Sequence, residues 1–431
     1  MPDYRSIGLA FALGTVATSA AYATNGYAPH GIGLTSKGMG GVNIGYQGDA
    51  VAVGGNPAGS AFMGDRFDVG IDLFRPIRDS EIDFGPGGSF EYDGSDTKYF
   101  PIPELGYRRG INDQWAFALS IFGNGGMNTD YHPGIPFFNG SLGMASNAPA
   151  TGPSTGINLM QLFVVPSLSY KINENHSVGV GLNVVAQGFE AEGLGSFTNF
   201  STDPTKLTDN GMDWSYGAGV RIGWVGKVSN QLTLGATYQT KTYMTDFDDY
   251  SGLFAEEGGF DIPPNFGVGF AFQATPKLLI AGDVMQIMYS DVDSIANSVD
   301  KFAGCSTSPQ YCLGGDSGPG FGWDDMTVFK LGIQYEATPQ LTLRAGWNYG
   351  EAPIPSNDET LFNVLAPATV EHHVTLGATY QVNKSMSITG TYMHAFENEI
   401  KDDLPGALGA FPSADIKMHQ DSLGVQFSWA L

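Results

Sequence analysis

Positive charge is scarce in this chain: 431 residues carry 20 Lys and Arg against 44 Asp and Glu, a formal charge of −24. Such an acid excess repels phosphate backbones and excludes nucleic acid as a partner. Charge of either sign is sparse, at 15% of residues, where a soluble domain carries about 25%. Past residue 23 no apolar run approaches the roughly 20 residues that a spanning helix needs. With mean hydropathy at −0.08, a helical membrane protein is excluded as well. Cysteine is nearly missing. Cys305 and Cys312 share one Gly/Ser/Pro-rich segment, as a disulfide stapling a loop of an exported protein or as two unpaired thiols.

Catalytic and cofactor signatures are also wanting. Gly33-Leu-Thr-Ser-Lys37-Gly38 lacks the order of a phosphate loop. His372 and His373 are adjacent, and neighbouring strand residues face opposite ways, so they cannot chelate one ion. The other histidines are dispersed with no carboxylate at catalytic spacing. We therefore expect no enzyme, no cofactor and no metal centre. Asp246, Asp248 and Asp249 read as solvated acids, or as a Ca²⁺ bridge to lipopolysaccharide phosphates.

Glycine, with 60 residues, and aromatics, at 12%, are plentiful instead. At the N-terminus Arg5 precedes an apolar stretch from Ile7 to Ala17, and Ala21-Tyr-Ala23 offers a small-x-small cleavage site. Residues 1–23 thus read as a signal peptide, with a buried helix as the alternative. From Asp65 onward, runs of about ten residues alternate apolar with small or polar ones. In Trp214–Trp224 the even-numbered residues Trp214, Tyr216, Ala218, Val220, Ile222 and Trp224 share one face, and Ser215, Gly217, Gly219, Arg221 and Gly223 the other. Aromatics at strand ends, such as Tyr107, Tyr170, Tyr238, Tyr335, Tyr380 and Trp429, suit an interfacial girdle.

Tight turns fall at Gly110–Gln114, Asn173–His176, Val228–Gln231, Thr275–Lys277, Thr338–Gln340 and Asn383–Ser385. Six hairpins supply twelve strands, and one more on each side makes fourteen, an even number as bacterial barrels require. The pattern predicts an all-β, fourteen-stranded antiparallel transmembrane barrel over 65–431. It sits in the outer membrane of a Gram-negative cell, in contact with lipid and lipopolysaccharide, as a monomer. Long loops are expected at 76–97, 125–155, 191–211, 250–260, 292–323, 351–367 and 398–414. Residues 24–64 are glycine-rich without strand periodicity. Irregular backbone at membrane depth survives only inside protein or along a cavity, so they form a plug in the lumen or else a periplasmic tail.

Gly38-Met-Gly-Gly-Val-Asn-Ile-Gly-Tyr-Gln-Gly-Asp-Ala50 and the following Gly55-Asn56-Pro57-Ala58-Gly59 resemble the hatch of the FadL family, which carries an Asn-Pro-Ala motif. Phe117–Gly126, Glu351–Ser356, His373–Tyr380 and Tyr392–His394 are similar to the family too, so the likeness spans the mature chain. It implies a passive channel for long-chain fatty acids or hydrocarbons, with substrate class left open. Ligand is caught near the extracellular loops and moves to a closed apolar pocket. A shift of the hatch N-terminus frees it to leave sideways through a kink in the third strand. On that pattern Tyr27 occupies the pocket, unless the terminus is disordered. Phe122, Gly123, Asn124 and Gly125 supply the kink, unless they are an ordinary strand exit. By alternation Arg221, Lys330 and Arg344 point inward, to hold a ligand carboxylate or to pair with acids such as Glu371. The rivals are a general porin for hydrophilic solutes, a lipid-modifying enzyme and an adhesin-like surface role.

Overall fold

The computed structural model describes residues 24–142, 148–355, 359–402 and 412–431; the expected signal peptide, 1–23, lies outside them. The first strands are β1 Arg66–Asp83, β2 Phe100–Gly110, β3 Trp115–Tyr131, β4 Thr155–Lys171 and β5 His176–Glu192. Next come β6 Asp213–Lys227, β7 Leu232–Gln239, β8 Asn265–Thr275, β9 Leu278–Ile287 and β10 Met326–Thr338. The last are β11 Leu341–Gly350, β12 His372–Gln381, β13 Met386–Ile400 and β14 Ser413–Ala430. Each pairs antiparallel with the next, and β14 returns to β1 from Ser413↔Asp83 to Ala430↔Arg66, closing a fourteen-stranded barrel. The strand count from the turns is borne out. Short strands Ser89–Asp93 and Tyr243–Met244 pair onto β1 and β6. Two strands outrun their expected ends: β1 continues to Asp83 and β3 to Tyr131, because ladder bonds carry them into the loop layer.

The alternation has the sense a membrane demands. Trp214, Tyr216, Val220 and Ile222 are exposed on the outer face, while Ser215 and Arg221 are buried inside. Val69, Ile71 and Leu73 on β1 and Leu423, Val425 and Phe427 on β14 continue the outward apolar surface. In water such a continuous patch would be an aggregation liability; against lipid it is the solvent-compatible face.

Residues 24–63 do not join the ladder. Their hydrogen bonds reach around the ring: Lys37 Nζ to Asp72 on β1 (2.7 Å), Leu34 N to Glu104 on β2 (3.0 Å), and Ser120 Oγ on β3 to Ala50 O (3.0 Å). Ser60 Oγ meets Ser169 Oγ on β4 (2.7 Å), Asn43 N donates to Asp283 on β9 (2.7 Å), and Gly40 N donates to Thr375 on β12 (2.8 Å). A segment bonded to strands on every side lies inside them. The fit is tight where the wall is glycine. A Cβ on Gly346 would come within 2.0 Å of Gly40 N, and one on Gly223 within 1.9 Å of Asn56 Oδ1.

Asn56-Pro57-Ala58 has a physical role in this packing. Asn56 caps the 3₁₀ turn Pro57–Phe62, accepting from Ala58 N (3.1 Å), while its Nδ2 donates to Ile44 O (2.8 Å) and Trp224 O on β6 (3.2 Å). Pro57 needs no donor at that first position. Ala58 is fully buried, and its carbonyl accepts from Ser177 Oγ on β5 (2.9 Å).

His30, also fully buried, stacks on His373 of β12 with ring centroids 5.9 Å apart, and neither ring finds a hydrogen-bond partner among the described residues. Burial first, and then the charge of Lys37, hold the His30 imidazole well below its ordinary pKa. The unfolded chain takes up that proton below about pH 6.5, so the folded state loses stability as pH falls through this range. In thermal unfolding of the solubilised protein the slope of stability against pH that His30 itself contributes should be nil above about pH 7.5 and reach up to about 1.4 kcal/mol per pH unit below about pH 6.5. His30→Gln should make the profile shallower by that one group's share; an unchanged slope would remove His30 from the account.

Candidate functional site

A seam interrupts the wall between β2 and β3. β2 and β3 pair only as far as Leu105↔Ile121. Beyond it β2 runs on to Phe100, bonded to β1 alone, and β3 runs on to Tyr131, bonded to β4. Pro101 and Pro103 lie on the unpaired stretch of β2; they have no N–H to offer and are tolerated at a sheet edge. On the other side Phe122, Gly123, Asn124 and Gly125 lie within β3 rather than at its exit. The β3–β4 register shifts between Gly123 and Gly125, as at a bulge. From Phe122 to Thr129 every residue is buried, so alternation ceases: here β3 has left the barrel surface and bends into the lumen. Asn124 Nδ2 donates to Gln161 Oε1 on β4 (3.1 Å).

The N-terminal segment closes on the bent stretch. Gly126 N donates to Tyr27 O at 3.2 Å, and a Cβ on Gly125 would stand 2.3 Å from that carbonyl. Tyr27 is 1% exposed, its ring packed on Tyr289 (5.5 Å), Trp323 (6.1 Å) and Phe260 (6.3 Å). The Tyr289 hydroxyl donates to Asn25 O (2.6 Å) and accepts from Tyr27 N (3.2 Å) and Ala28 N (3.4 Å). One phenol thus ties three consecutive parts of the terminus.

Outward of this cluster lies an apolar cavity of about 60 Å³. Phe138, Phe189, Phe197, Phe254, Phe321 and Phe362 line it with Ile157, Leu194, Leu253, Leu313 and Leu365, and no lining side chain is charged. Its one hydroxyl, Ser294 Oγ, is spent on Gly259 O. Only Ile157 and Phe189 come from strands; the rest come from five loops. One of them, between β9 and β10, carries Cys305 and Cys312, bonded sulfur to sulfur with Cα atoms 4.5 Å apart, next to the cavity residue Leu313. At 60 Å³ the space is well below the ~150 Å³ of a dry cavity that admits benzene. Tyr27 stands below the cavity rather than in it: Phe260 packs at 4.8 Å on the lining residue Phe254, and Trp323 at 6.1 Å on Phe321.

The three inward cations are not brought to this cavity. Arg221 Nη1 donates to Gly55 O (3.1 Å) and its Nη2 to Gln239. Lys330 Nζ reaches Gly41 O at 3.4 Å. Arg344 binds Gln334 (2.8 Å) and Thr379 (2.6 Å). Alternation gave their direction correctly, but two clamp backbone carbonyls of the N-terminal segment and the third is held by its own wall. Glu371 pairs with none of them; its Oε1 accepts from Ala352 N at 3.3 Å. In the acidic loop Asp249 pairs with Lys206 at 2.5 Å. Tyr289 and Trp323 escape sequence reasoning because long loops carry no periodicity. Pro101-Ile102-Pro103 is a legible edge signal that the turn count passes over.

A family model described as outer membrane protein transport protein (OMPP1/FadL/TodX) matches residues 10–428. The chain belongs to this family. Within the FadL family, the long-chain fatty acid transport protein of Escherichia coli (strain K12) is 24% identical over 431 aligned positions, covering 90% of this chain and 91% of that protein. The crystal structure of the P. putida toluene transporter TodX aligns with TM-score 0.70 at 20% identity, over 93% of this chain and 99% of that one. A Pseudomonas aeruginosa FadL homologue gives 0.68 at 16% identity, over 94% and 99%. These structural likenesses establish the fold, and family membership places this FadL-family barrel in the outer membrane.

Tyr289→Phe keeps the ring and removes all three hydrogen bonds. Amide exchange over residues 24–30 should then rise about tenfold, as expected for about 1–2 kcal/mol of lost local hydrogen bonding. Exchange in β12 should not move. Equal protection in both proteins would show that the phenol does not hold the terminus.

Proposed function

We propose that this chain is a passive, gated channel that lets hydrophobic molecules, fatty acids or hydrocarbons, cross the outer membrane and leave through the side of the barrel. The observation that carries this reading is the seam between β2 and β3, where the ladder stops beside an N-terminal segment bonded to the bent strand. The chemistry is straightforward. An apolar solute is unstable in the periplasm and in the polar outer leaflet, and gains about 25 cal/mol per Å² by staying out of water. Residues 24–64 act as the hatch. Withdrawal of Tyr27 from Gly126 joins the cavity region to the seam. The Asn-Pro-Ala cap anchors the rest of the hatch to the wall, so that only its first residues need move.

Transport by this route requires no catalysis, cofactor or resident metal, and the working unit is one barrel surrounded by lipid and lipopolysaccharide. A general porin is the second reading. Against it stand the hatch bonds that fill the lumen, which leave hydrophilic solutes no wide, water-filled path. Deletion of the gene should slow uptake of long-chain fatty acids, alkanes or monoaromatics, and purified protein in planar bilayers should pass no large, steady ion current. Unchanged uptake of all three classes would end the proposal; a porin-like current would favour the rival. Replacing Pro101 and Pro103 together by Val restores two N–H donors at the seam. At about 0.5–1.5 kcal/mol per bond formed, closure should lower the initial uptake rate about fivefold or more at equal outer-membrane abundance.

A further inference from the structure

Arg78 lies on the inner face of β1 at the outer edge of the seam and is only 1% exposed. Its Nη1 donates to the Asn128 carbonyl and, at 2.8 Å, to Asn128 Oδ1, and its Nη2 donates to the Thr97 carbonyl. All these acceptors are neutral. Arg66, Arg75, Arg108 and Arg109 each pair with an aspartate, but Arg78 makes no ion pair among the described residues. Asp79, Asp93 and Asp130 act on it only from beyond ion-pair distance. Among the described residues Arg78 Nε has no hydrogen-bond partner. Nε and Nη2 form the edge with which a guanidinium grips a carboxylate by two parallel bonds.

A buried cation without an anion is costly, and an unsatisfied buried donor marks a missing water or ion. Arg221 is also buried without an ion pair among the described residues, and its Nε too is unpartnered there, but it lies beneath the hatch against Gly55 O and lines no cavity at the seam. Arg78 does line one. A space of about 30 Å³ lies between its side chain, Gly26 of the hatch terminus, Gly126 and Asn128 of the bent strand, and Trp323. Trp323 stands between the two spaces, because its ring also packs on Phe321, which lines the large apolar cavity. That cavity offers a tail everything and a charged head nothing. The first guanidinium beyond the Trp323 partition is Arg78.

We propose that Arg78 is the docking point for the anionic head group of an amphipathic ligand, a carboxylate on an apolar tail, as that ligand passes from the phenylalanine-lined cavity to the seam. The proposal rests on the channel reading above and adds a polar requirement that neutral hydrocarbons do not have. A head bound there also lies against Gly26, so its arrival and the withdrawal of the hatch terminus compete for one space.

The experiment is ligand binding to the full-length mature barrel in nanodiscs. It uses two probes with the same tail: dodecanoate, charged at neutral pH, and 1-dodecanol, neutral. Wild type should bind dodecanoate more tightly than dodecanol by about tenfold or more, as a charge-assisted bidentate pair provides. Arg78→Gln should remove that difference by weakening dodecanoate alone, and Arg78→Lys should restore part of it. Equal weakening of both probes in Arg78→Gln would mean that the residue merely braces Asn128 and Thr97, and would overturn the proposal. So would a wild type that binds both probes alike, a comparison that needs no variant to fold. Wild type that binds neither probe would overturn the Arg78 site, while the channel reading would stand or fall by the uptake test.

Discussion

Hydrocarbon offers no partner to a backbone N–H or C=O, and every part of this structure answers to that constraint. Fourteen strands satisfy it by closing on themselves, from β1 round to β14 and back. Closure decides which face is apolar, since Val69, Ile71 and Leu73 must meet lipid while Asp68 and Asp72 turn inward. It also decides where irregular chain can go. Residues 24–63 are tolerated at membrane depth because wall side chains satisfy them, with Asp283 accepting from both Asn43 N and Ile44 N.

The seam is the one place where β2 and β3 decline the general solution. Two prolines remove donors from one side, and a bulge carries the other side into the lumen. The Tyr27 carbonyl then takes the donor of Gly126. The loop beginning at Tyr289 ties that exchange to the cavity roof. It holds the hatch terminus through a phenol, presents Trp323 to the same tyrosine, and supplies Leu313 and Phe321 to the cavity. The apolar cavity and the position of the N-terminal segment thus both depend on one continuous stretch of chain, closed on itself by its disulfide.

Much of this was legible without coordinates, for a definite reason. A membrane strand writes its two environments alternately into the sequence, so Trp214–Trp224 declares both its conformation and its outward face. Tight turns between strands declare the count. Depth and partner are not written in this way. Arg221, Lys330 and Arg344 point inward as alternation says, but the first two meet hatch carbonyls, and only three-dimensional packing could place them there. Arg78 points inward by the same rule. The turn spacing puts it in a loop that begins at residue 76, whereas β1 continues through it to Asp83. The kink in β3 was half visible: its glycines stand out, but the pairing that ends at Ile121 depends on what β2 lacks.

The glycines of the inner wall have a consequence for how such a protein varies. At Gly223 and Gly346 a single methyl group would collide with the hatch while leaving the outer, lipid-facing surface untouched. Insertion into the membrane and leak-tightness are therefore governed by different residues of the same strand, one set facing out and the other facing in. Permeability can drift by changes on the inner face alone, in a barrel that still assembles normally.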